Sequence, residues 1–173
     1  WGWGQTTYTW IGADNASWNN AENWSPNRGS PAANDILQFN DGTAKTITSV
    51  PTQTIGKIIL SGNTTVNLQS SVADTLTISG STGADLDIPN GSSLNITGSN
   101  ALMILLSAGA TGSISGTMIF SGAAHKLDAA DASGIVFNNG AYFMQGENCT
   151  GNVFTNSGKN NSIVFSNGST FEM

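Results

Sequence analysis

Apolar residues in this chain come in short runs at strand spacing, and each run is followed by one or two small polar residues and then usually a glycine. The stretches 58–62 (IILSG) and 76–80 (LTISG) show this unit most simply. Further copies lie at 94–98, 118–122, 135–140 and 163–168. Segments between them, such as 65–68 and 85–88, alternate between apolar and polar residues. A period of two, with no helical periodicity, predicts an all-β fold of short strands.

The units recur at intervals that are typical of a stacked architecture. With the residue after each apolar run as the marker, Ser61, Ser79 and Thr97 are evenly spaced, Ser121 follows after a longer interval and Asn138 after a shorter one. Self-similarity of this kind indicates a solenoid, in which each coil buries its apolar face against its neighbours. We therefore predict a parallel β-solenoid with coils of about 18 residues. Gly and Asn are expected at corners that need positive φ, with Asn side chains bonded from coil to coil.

Two other architectures fit part of the pattern. Leu60, Val66, Val72 and Ile78 fall six residues apart, as in a left-handed hexapeptide helix. The hexad fails further along the chain, and large residues occupy positions where such coils need small ones, so a right-handed β-helix is favoured. An antiparallel jelly roll or sandwich, which also uses many short strands, is the main rival.

Composition excludes several fold classes and several kinds of partner. Only 9% of the 173 residues are charged, against about 25% in ordinary soluble domains, and 81 residues are Gly, Ser, Thr or Asn. Helical bundles and coiled coils are rich in Ala, Leu, Glu and Lys, which are in the minority here. A net charge of −6 without a basic run argues against nucleic acid and anionic membranes as partners. The longest apolar stretch, residues 101–106, is too short to cross a bilayer.

The first 44 residues differ from the rest of the chain because they contain every tryptophan. These are Trp1, Trp3, Trp10, Trp18 and Trp24. An open solenoid end exposes unpaired strand groups and an apolar core, so it needs a lid. We predict that residues 1–44 cap a single domain of coils over residues 45–173, with Trp10, Trp18 and Trp24 lying across the end. The chain starts without Met and stops within a predicted strand, which suggests a fragment of a longer protein.

The same segment resembles the opening of many secreted bacterial surface proteins. It contains W-x-G at residues 10–12, W-x-x-x-x-N-W-x-P at 18–26 and P-x-x-x-D at 31–35, followed by an apolar strand. In autotransporter passenger domains and related adhesin-like β-helix proteins, this pattern precedes long repeats rich in Gly, Asn and Thr. The resemblance covers about 35 residues. It implies export, a parallel β-helix and a role in adhesion or display, although the spacing at residues 30–35 departs by one residue from some relatives.

Few side chains offer metal chemistry. In the cap, Asp14, Asp35 and Asp41, together with Asn15 and Glu22, are the best candidates for a calcium site, because calcium takes six to eight oxygen ligands. In the repeats, Asp85 and Asp87 alternate on one strand and are expected to share a face. A cation there would need at least three more oxygens, so we interpret this pair as an ordinary solvated part of the strand.

The repeats contain one concentration of titratable residues, in which His125 and Lys126 precede Asp128 and Asp131. We interpret it as a solvated corner, because sugar cleavage needs facing carboxylates or basic groups. The single Cys149 has no disulfide partner and no adjacent cation, so it is interpreted as a small, partly buried residue. The sequence contains no phosphate-binding glycine loop, zinc-spaced His and Cys set or nucleophile elbow. No catalytic residue and no organic cofactor are predicted.

Together these patterns predict a non-catalytic, secreted or cell-surface β-helix segment that acts in adhesion or display. Its expected partner is a host-cell or environmental surface, with glycans as candidate ligands, and an uncapped coil would allow end-to-end self-contact. The alternative is part of a carbohydrate-binding or polysaccharide-degrading β-helix protein. An ice- or surface-binding protein is a third hypothesis, because Thr46 and Thr48, and Thr75 and Thr77, begin Thr-x-Thr ranks that later coils do not continue.

Overall fold

A computed structural model describes residues 4–80, 82–155 and 161–173, and in these residues the chain is all-β apart from one turn of 3₁₀ helix, Ala21–Asn23. The strands in chain order are β1 Thr7–Trp10, β2 Ala16–Ser17, β3 Trp24–Ser25, β4 Ile36–Phe39, β5 Ala44–Thr48, β6 Gln53–Ile55, β7 Lys57–Leu60, β8 Thr65–Leu68, β9 Asp74–Ile78, β10 Leu86–Ile88, β11 Ser93–Ile96, β12 Leu102–Leu106, β13 Gly112–Ile114, β14 Thr117–Phe120, β15 Lys126–Ala129, β16 Ile135–Phe137, β17 Tyr142–Gln145, β18 Ile163–Phe165 and β19 Thr170–Glu172.

Three sheets form the walls of the molecule, and the chain visits them in turn. Sheet A has the strand order β18-β16-β13-β10-β7-β4-β1-β3, sheet B the order β19-β17-β14-β11-β8-β5-β2, and sheet C the order β15-β12-β9-β6. Every described pairing between rungs is parallel, and only β3 runs antiparallel, to β1. The protein is therefore a parallel β-solenoid of about six turns, as predicted, and the antiparallel rival is wrong.

The predicted coil length is wrong, because the coils are longer. From β4 onward, Ile58 lies opposite Leu37 on one side and Leu86 on the other, so a full turn takes more residues than the interval between the sequence markers. The markers Ser61, Ser79 and Thr97 follow β7, β9 and β11, which belong to sheets A, C and B. The chain passes one further wall between consecutive markers. Their spacing therefore covers two of the three sides of a rung and not one full turn. The hexad fails as well, because Val72 is 60% exposed.

Gly and Asn residues occupy left-handed turns at the corners, as predicted. Gly62, Gly80 and Gly98 have φ values of 64°, 80° and 92°, and each lies at a different one of the three kinds of corner. Asn63 also adopts positive φ, and a Cβ on Gly91 would collide with the Asn63 side chain of the preceding rung. Glycine is needed at residue 91 both for its dihedral angle and for the close stacking of the turns.

The interior is filled by alternate residues of all three walls. In β8, β11 and β14 the pattern is half-buried, buried, half-buried, buried, so each strand directs two side chains inward and two outward. The inward residues, among them Leu68, Leu94 and Phe120, belong to one continuous apolar core. This alternation fixes which side chains face solvent, and it therefore positions every candidate contact residue.

The N-terminal end is closed by aromatic rings, as predicted. Trp10, Trp18 and Trp24 are 4%, 2% and 2% exposed, and the ring of Trp24 packs edge-on against the other two at centroid distances of 4.9 and 5.2 Å. Trp24 Nε1 donates to the Trp18 carbonyl oxygen at 3.0 Å. Trp1 and Trp3 lie outside the described residues. The boundary set at residues 44 and 45 falls at the start of β5, and β4 before it pairs with β7 after it.

Candidate contact surface

The outer face of sheet B presents two straight columns of side chains, because strands β5, β8, β11, β14, β17 and β19 pair in register. The first column is Ala44, Thr65, Ser93, Thr117, Tyr142 and Thr170. The second column is Thr46, Asn67, Asn95, Ile119, Met144 and Glu172. Members of a column are about 4.8 Å apart, the spacing of paired strands. Glu172 is the one ionisable carboxylate in these two columns, so the face is almost uncharged.

An amide ladder forms the middle of this face, so Asn residues do bond from rung to rung, but here they lie within strands β8 and β11 and not at the corners where such bonds were expected. Asn95 Nδ2 donates to Asn67 Oδ1 at 2.9 Å. The ladder stops there because Ile119 occupies the next position of the column and cannot donate a hydrogen bond. Asn95 Oδ1 is consequently buried without a hydrogen-bond partner. Such an acceptor costs free energy, so the end of the ladder is a weak point of the face.

Toward the C-terminal end the same face becomes aromatic and apolar. Tyr142 stands between buried Ala141 and Phe143, so its ring points outward. Its hydroxyl donates to Glu172 Oε2 at 2.6 Å, across the diagonal between the two columns. This hydrogen bond to the carboxylate is the main reason why the pKa of Tyr142 is raised. Within the described strands, Tyr142 is the one aromatic side chain directed away from the core.

The Thr-x-Thr ranks do not form a common surface. Thr46 and Thr48 lie on sheet B, whereas Thr75 and Thr77 lie on sheet C. On sheet C, Thr54 does pair with Thr77, which extends the rank to a second rung. The following rung places Met103 and Leu105 opposite Thr75 and Thr77, and it ends the array.

The three calcium candidates are separated and already bonded within the chain. Asp14 Oδ1 accepts from the Thr46 amide at 2.7 Å, and Asp35 is buried in an ion pair with Arg28, whose Nε lies 2.7 Å from Asp35 Oδ2. Asp41 Oδ2 accepts from the Thr43 hydroxyl at 2.7 Å. Burial alone would raise the pKa of Asp41, but hydrogen bonds from Thr43 and the nearby Lys45 together lower it. Across the described ranges no three His, Cys, Asp or Glu residues group into a metal site.

The interpretation of Asp85 and Asp87 as a solvated pair on one face of a strand is wrong for Asp85, which is buried before β10 begins. Asp85 is fully buried, and its Oδ1 lies 3.2 Å from Lys57 Nζ of the preceding rung. The same ammonium donates to the carbonyl oxygens of Thr82 and Ala84 at 2.6 and 3.1 Å. Burial raises the pKa of Asp87, against the opposing effect of Lys57. A cation from the chain itself thus occupies this corner.

The prediction of a solvated corner around His125 is wrong. His125 and Asp128 are 0% and 2% exposed, the first directly before β15 and the second within that strand, where it lies opposite Leu105 of β12. The Leu102 amide donates to His125 Nδ1 at 3.1 Å, so the proton of the neutral ring is on Nε2, which lies 2.9 Å from the Ser121 carbonyl oxygen. Burial lowers the pKa of His125 despite these hydrogen bonds. The His125 ring therefore links two main-chain segments, at Leu102 and at Ser121, by hydrogen bonds.

The other residues of this group also serve the stacking of corners. Lys126 Nζ donates to the Asn152 carbonyl oxygen, and Asp131 Oδ2 accepts from the Gly109 amide at 2.6 Å. Cys149 is a buried free thiol, as expected of a small interior residue, and burial raises its pKa. None of these contacts places two groups of general acid and base type against a common open space.

Sequence reasoning missed the columns of sheet B. Tyr142 and Glu172 are far apart in the chain, and they meet because Tyr142 lies directly opposite Thr170 of the next rung. The true rung length was the missing signal, and the Asn-Gly or Asp-Gly pairs at residues 41–42, 90–91, 139–140 and 167–168 mark the corner between sheets A and B in only some of the rungs. No helix in the described segments is long and apolar enough to span a membrane. No protein-family model, curated protein or solved structure matches this chain.

Proposed function

We propose that this chain is a non-catalytic segment of a secreted or cell-surface protein, and that it holds the outer face of sheet B against a glycan-bearing surface. The supporting observation is the pair of columns on that face, in which neutral hydroxyl and amide groups repeat at rung spacing over the N-terminal rungs and give way to Tyr142, Ile119 and Met144 before the columns end on Thr170 and Glu172. Export and adhesion also agree with the N-terminal resemblance to autotransporter passenger domains.

The chemistry of the face suits uncharged polar ligands. Thr65, Ser93 and Thr117 both donate and accept hydrogen bonds, as sugar hydroxyls do. Their backbones are fixed by parallel pairing on both sides, so little side-chain and loop entropy is lost on binding. With a net charge of −6, the chain lacks the clustered basic residues that phosphate-rich partners require. A host-cell or environmental glycan is therefore the proposed partner, with no calcium or other cofactor.

The test is binding of the intact chain to immobilised neutral polysaccharides at low and high salt. We expect binding that changes little with salt, because few charges take part. Thr117→Arg, which places a bulky cation in the middle of the face, should abolish it. Thr75→Arg is the matched control, since Thr75 is a half-buried outward threonine on sheet C. Equal loss in both variants, or binding of anionic surfaces alone, would contradict the proposal.

His125 belongs to the group of titratable residues that the enzymatic alternative would use, and its geometry argues against that alternative. Both ring nitrogens of His125 are engaged with main-chain groups of Leu102 and Ser121. A general base needs a nitrogen that reaches the substrate. Turnover of a polysaccharide by the purified chain, lost in His125→Gln, would replace the adhesion proposal by a degrading β-helix. The ice-binding hypothesis is supported on sheet C only by the pairing of Thr54 with Thr77, and measurable thermal hysteresis would favour it.

A further inference from the structure

Tyr142 occupies a distinct position on the proposed contact face. Its ring is half-exposed on the outer side of β17, with Thr117 and Thr170 as direct neighbours in its column. Met144, two residues along the strand, and Ile119, on the preceding rung, place apolar groups beside it. An aromatic ring with an apolar margin on an otherwise hydroxyl-rich face is an anchor for a ligand that has both an apolar and a polar side.

The ring is held in place by a short hydrogen bond. The Tyr142 hydroxyl donates to Glu172 Oε2 at 2.6 Å, and Glu172 is anchored to the neighbouring rung because Met144 lies opposite it. A carboxylate has two oxygens with about four acceptor positions, so Glu172 can accept from Tyr142 and from a ligand hydroxyl at the same time. Pre-organisation of the ring reduces the entropy lost when a ligand binds to it.

We infer that Tyr142 and Glu172 form a subsite for one neutral pyranose unit, whose C–H face packs on the Tyr142 ring while its hydroxyls donate to Glu172. This inference rests on the proposed function, because it names the ligand class of the same face. Uronic acids are excluded by the negative charge of Glu172 and the overall charge of −6. From this subsite, a glycan chain that runs along the solenoid axis meets the hydroxyls of Thr117, Ser93 and Thr65 in turn.

The experiment is saturation-transfer NMR and titration of the intact chain with cellobiose, maltose, diacetylchitobiose and digalacturonate. We expect binding of at least one neutral disaccharide, with saturation on the sugar C–H protons, and none of digalacturonate. Tyr142→Ala should weaken that binding about tenfold or more, as loss of an aromatic anchor does. Tyr142→Phe keeps the ring and should lose less, and Glu172→Gln should reduce the discrimination against digalacturonate, because it removes the charge nearest to the bound sugar. Val136→Ala, outward on sheet A, is the control.

The variants separate failure of the subsite from failure of the proposed function. If neutral sugars bind and Thr117→Arg abolishes binding while Tyr142→Ala leaves it unchanged, the face is the contact surface and the subsite is wrong. If no neutral saccharide or polysaccharide binds the native chain, both proposals are overturned. Far-UV circular dichroism and tryptophan fluorescence identify any variant that has lost the fold, and Tyr142→Phe then provides the test with the smallest structural change.

Discussion

The two ends of the solenoid differ in how far they cover the cross-section of the stacked apolar core. At the N-terminal end, three buried tryptophans cover the core, and β3 reverses direction to pair with β1. At the C-terminal end of the described chain, β18 and β19 are half-buried and exposed, and Phe171 is 41% exposed. A cleft of about 410 Å³ lies there, lined in part by Phe154, Ile163 and Phe165. In the described residues the core is therefore covered at the first end and partly exposed at the second.

The two ends also use aromatic residues in two different packing arrangements. The tryptophans of the cap pack edge to face across the end, whereas Phe137 and Phe165 stack face to face from rung to rung at 4.5 Å. The second arrangement continues a column and leaves its last ring open to a further partner. We expect the isolated chain to make end-to-end contacts at this end, as a column of unpaired strand edges does.

The largest effect should come from opening the closed end. Trp18→Ala removes a ring that is 2% exposed, and loss of a buried aromatic side chain costs about 3 to 5 kcal/mol of unfolding free energy. Phe171→Ala, at the open end, should cost about 1 kcal/mol or less, because that ring is already partly in water. Denaturant unfolding followed by far-UV circular dichroism measures both.

Sedimentation velocity on the same two variants adds a second readout. Phe171→Ala should reduce self-association of the chain, and Trp18→Ala should increase it by exposing a second core cross-section. Equal stability losses in the two variants, or self-association that does not depend on Phe171, would show that the ends are equivalent.

A second contrast concerns the ion pairs of the cap. Arg28 and Asp35 are both buried, and the guanidinium lies 5.8 and 5.6 Å from the ring centroids of Tyr8 and Trp24. Asp35→Ala leaves the arginine charge buried and unpaired, so we expect a loss of about 3 kcal/mol in unfolding free energy. The matched control is Asp41→Ala, whose pair with Lys45 is solvent-exposed at 3.8 Å and should cost less than about 1 kcal/mol.

Thermal or denaturant unfolding monitored by tryptophan fluorescence is the suitable measurement, because all five tryptophans lie in the first 24 residues. A small loss for Asp35→Ala, comparable to that of Asp41→Ala, would mean that the ion pair is not what secures the cap.

The fold class and the closed end followed from local pattern, whereas rung length and the contact face did not. Alternation identified strands such as β8 and β11, and burial of Trp18 followed from its size. The period was misread because Gly62, Gly80 and Gly98 give three different corners the same chemistry, a left-handed turn after a strand. Columns such as Tyr142 beside Thr170 depend on the number of residues in every intervening loop, and no local pattern encodes that sum.

Lowering the pH should reduce the unfolding free energy of the rungs around His125, which lie between the two ends of the solenoid. The folded-state pKa of His125 is lowered by burial from its ordinary value of 6.5, so the unfolded chain binds the proton more tightly. The stabilising contribution of neutral His125 is therefore complete above about pH 6.5 and falls as the pH drops below it, toward the folded-state pKa. Asp87 acts in the opposite sense, because its raised pKa favours the folded state as the pH falls through the acidic range.

Unfolding free energies measured from pH 7.5 to 5 should therefore decrease in the native chain and stay flatter in His125→Gln. Because His125 lies on a corner remote in sequence from the tryptophans, hydrogen exchange around Leu102 and Ser121 should rise before cap fluorescence changes. An identical pH slope in native chain and variant would assign the effect to carboxylates instead.

The smallest effect is expected from extending the amide ladder of the N-terminal rungs by one residue toward the C-terminal end. Ile119→Asn places an amide directly after Asn95, where Asn95 Oδ1 is buried without a partner, and its Nδ2 can donate to that oxygen. A new hydrogen bond contributes about 0.5 to 1.5 kcal/mol, offset in part by the apolar contact that half-buried Ile119 loses. Ile119→Asp has the same shape but places an acceptor against an acceptor, so it should destabilise the chain. An Asn variant that is no more stable than the Asp variant would show that the ladder contributes shape to the face and no stability.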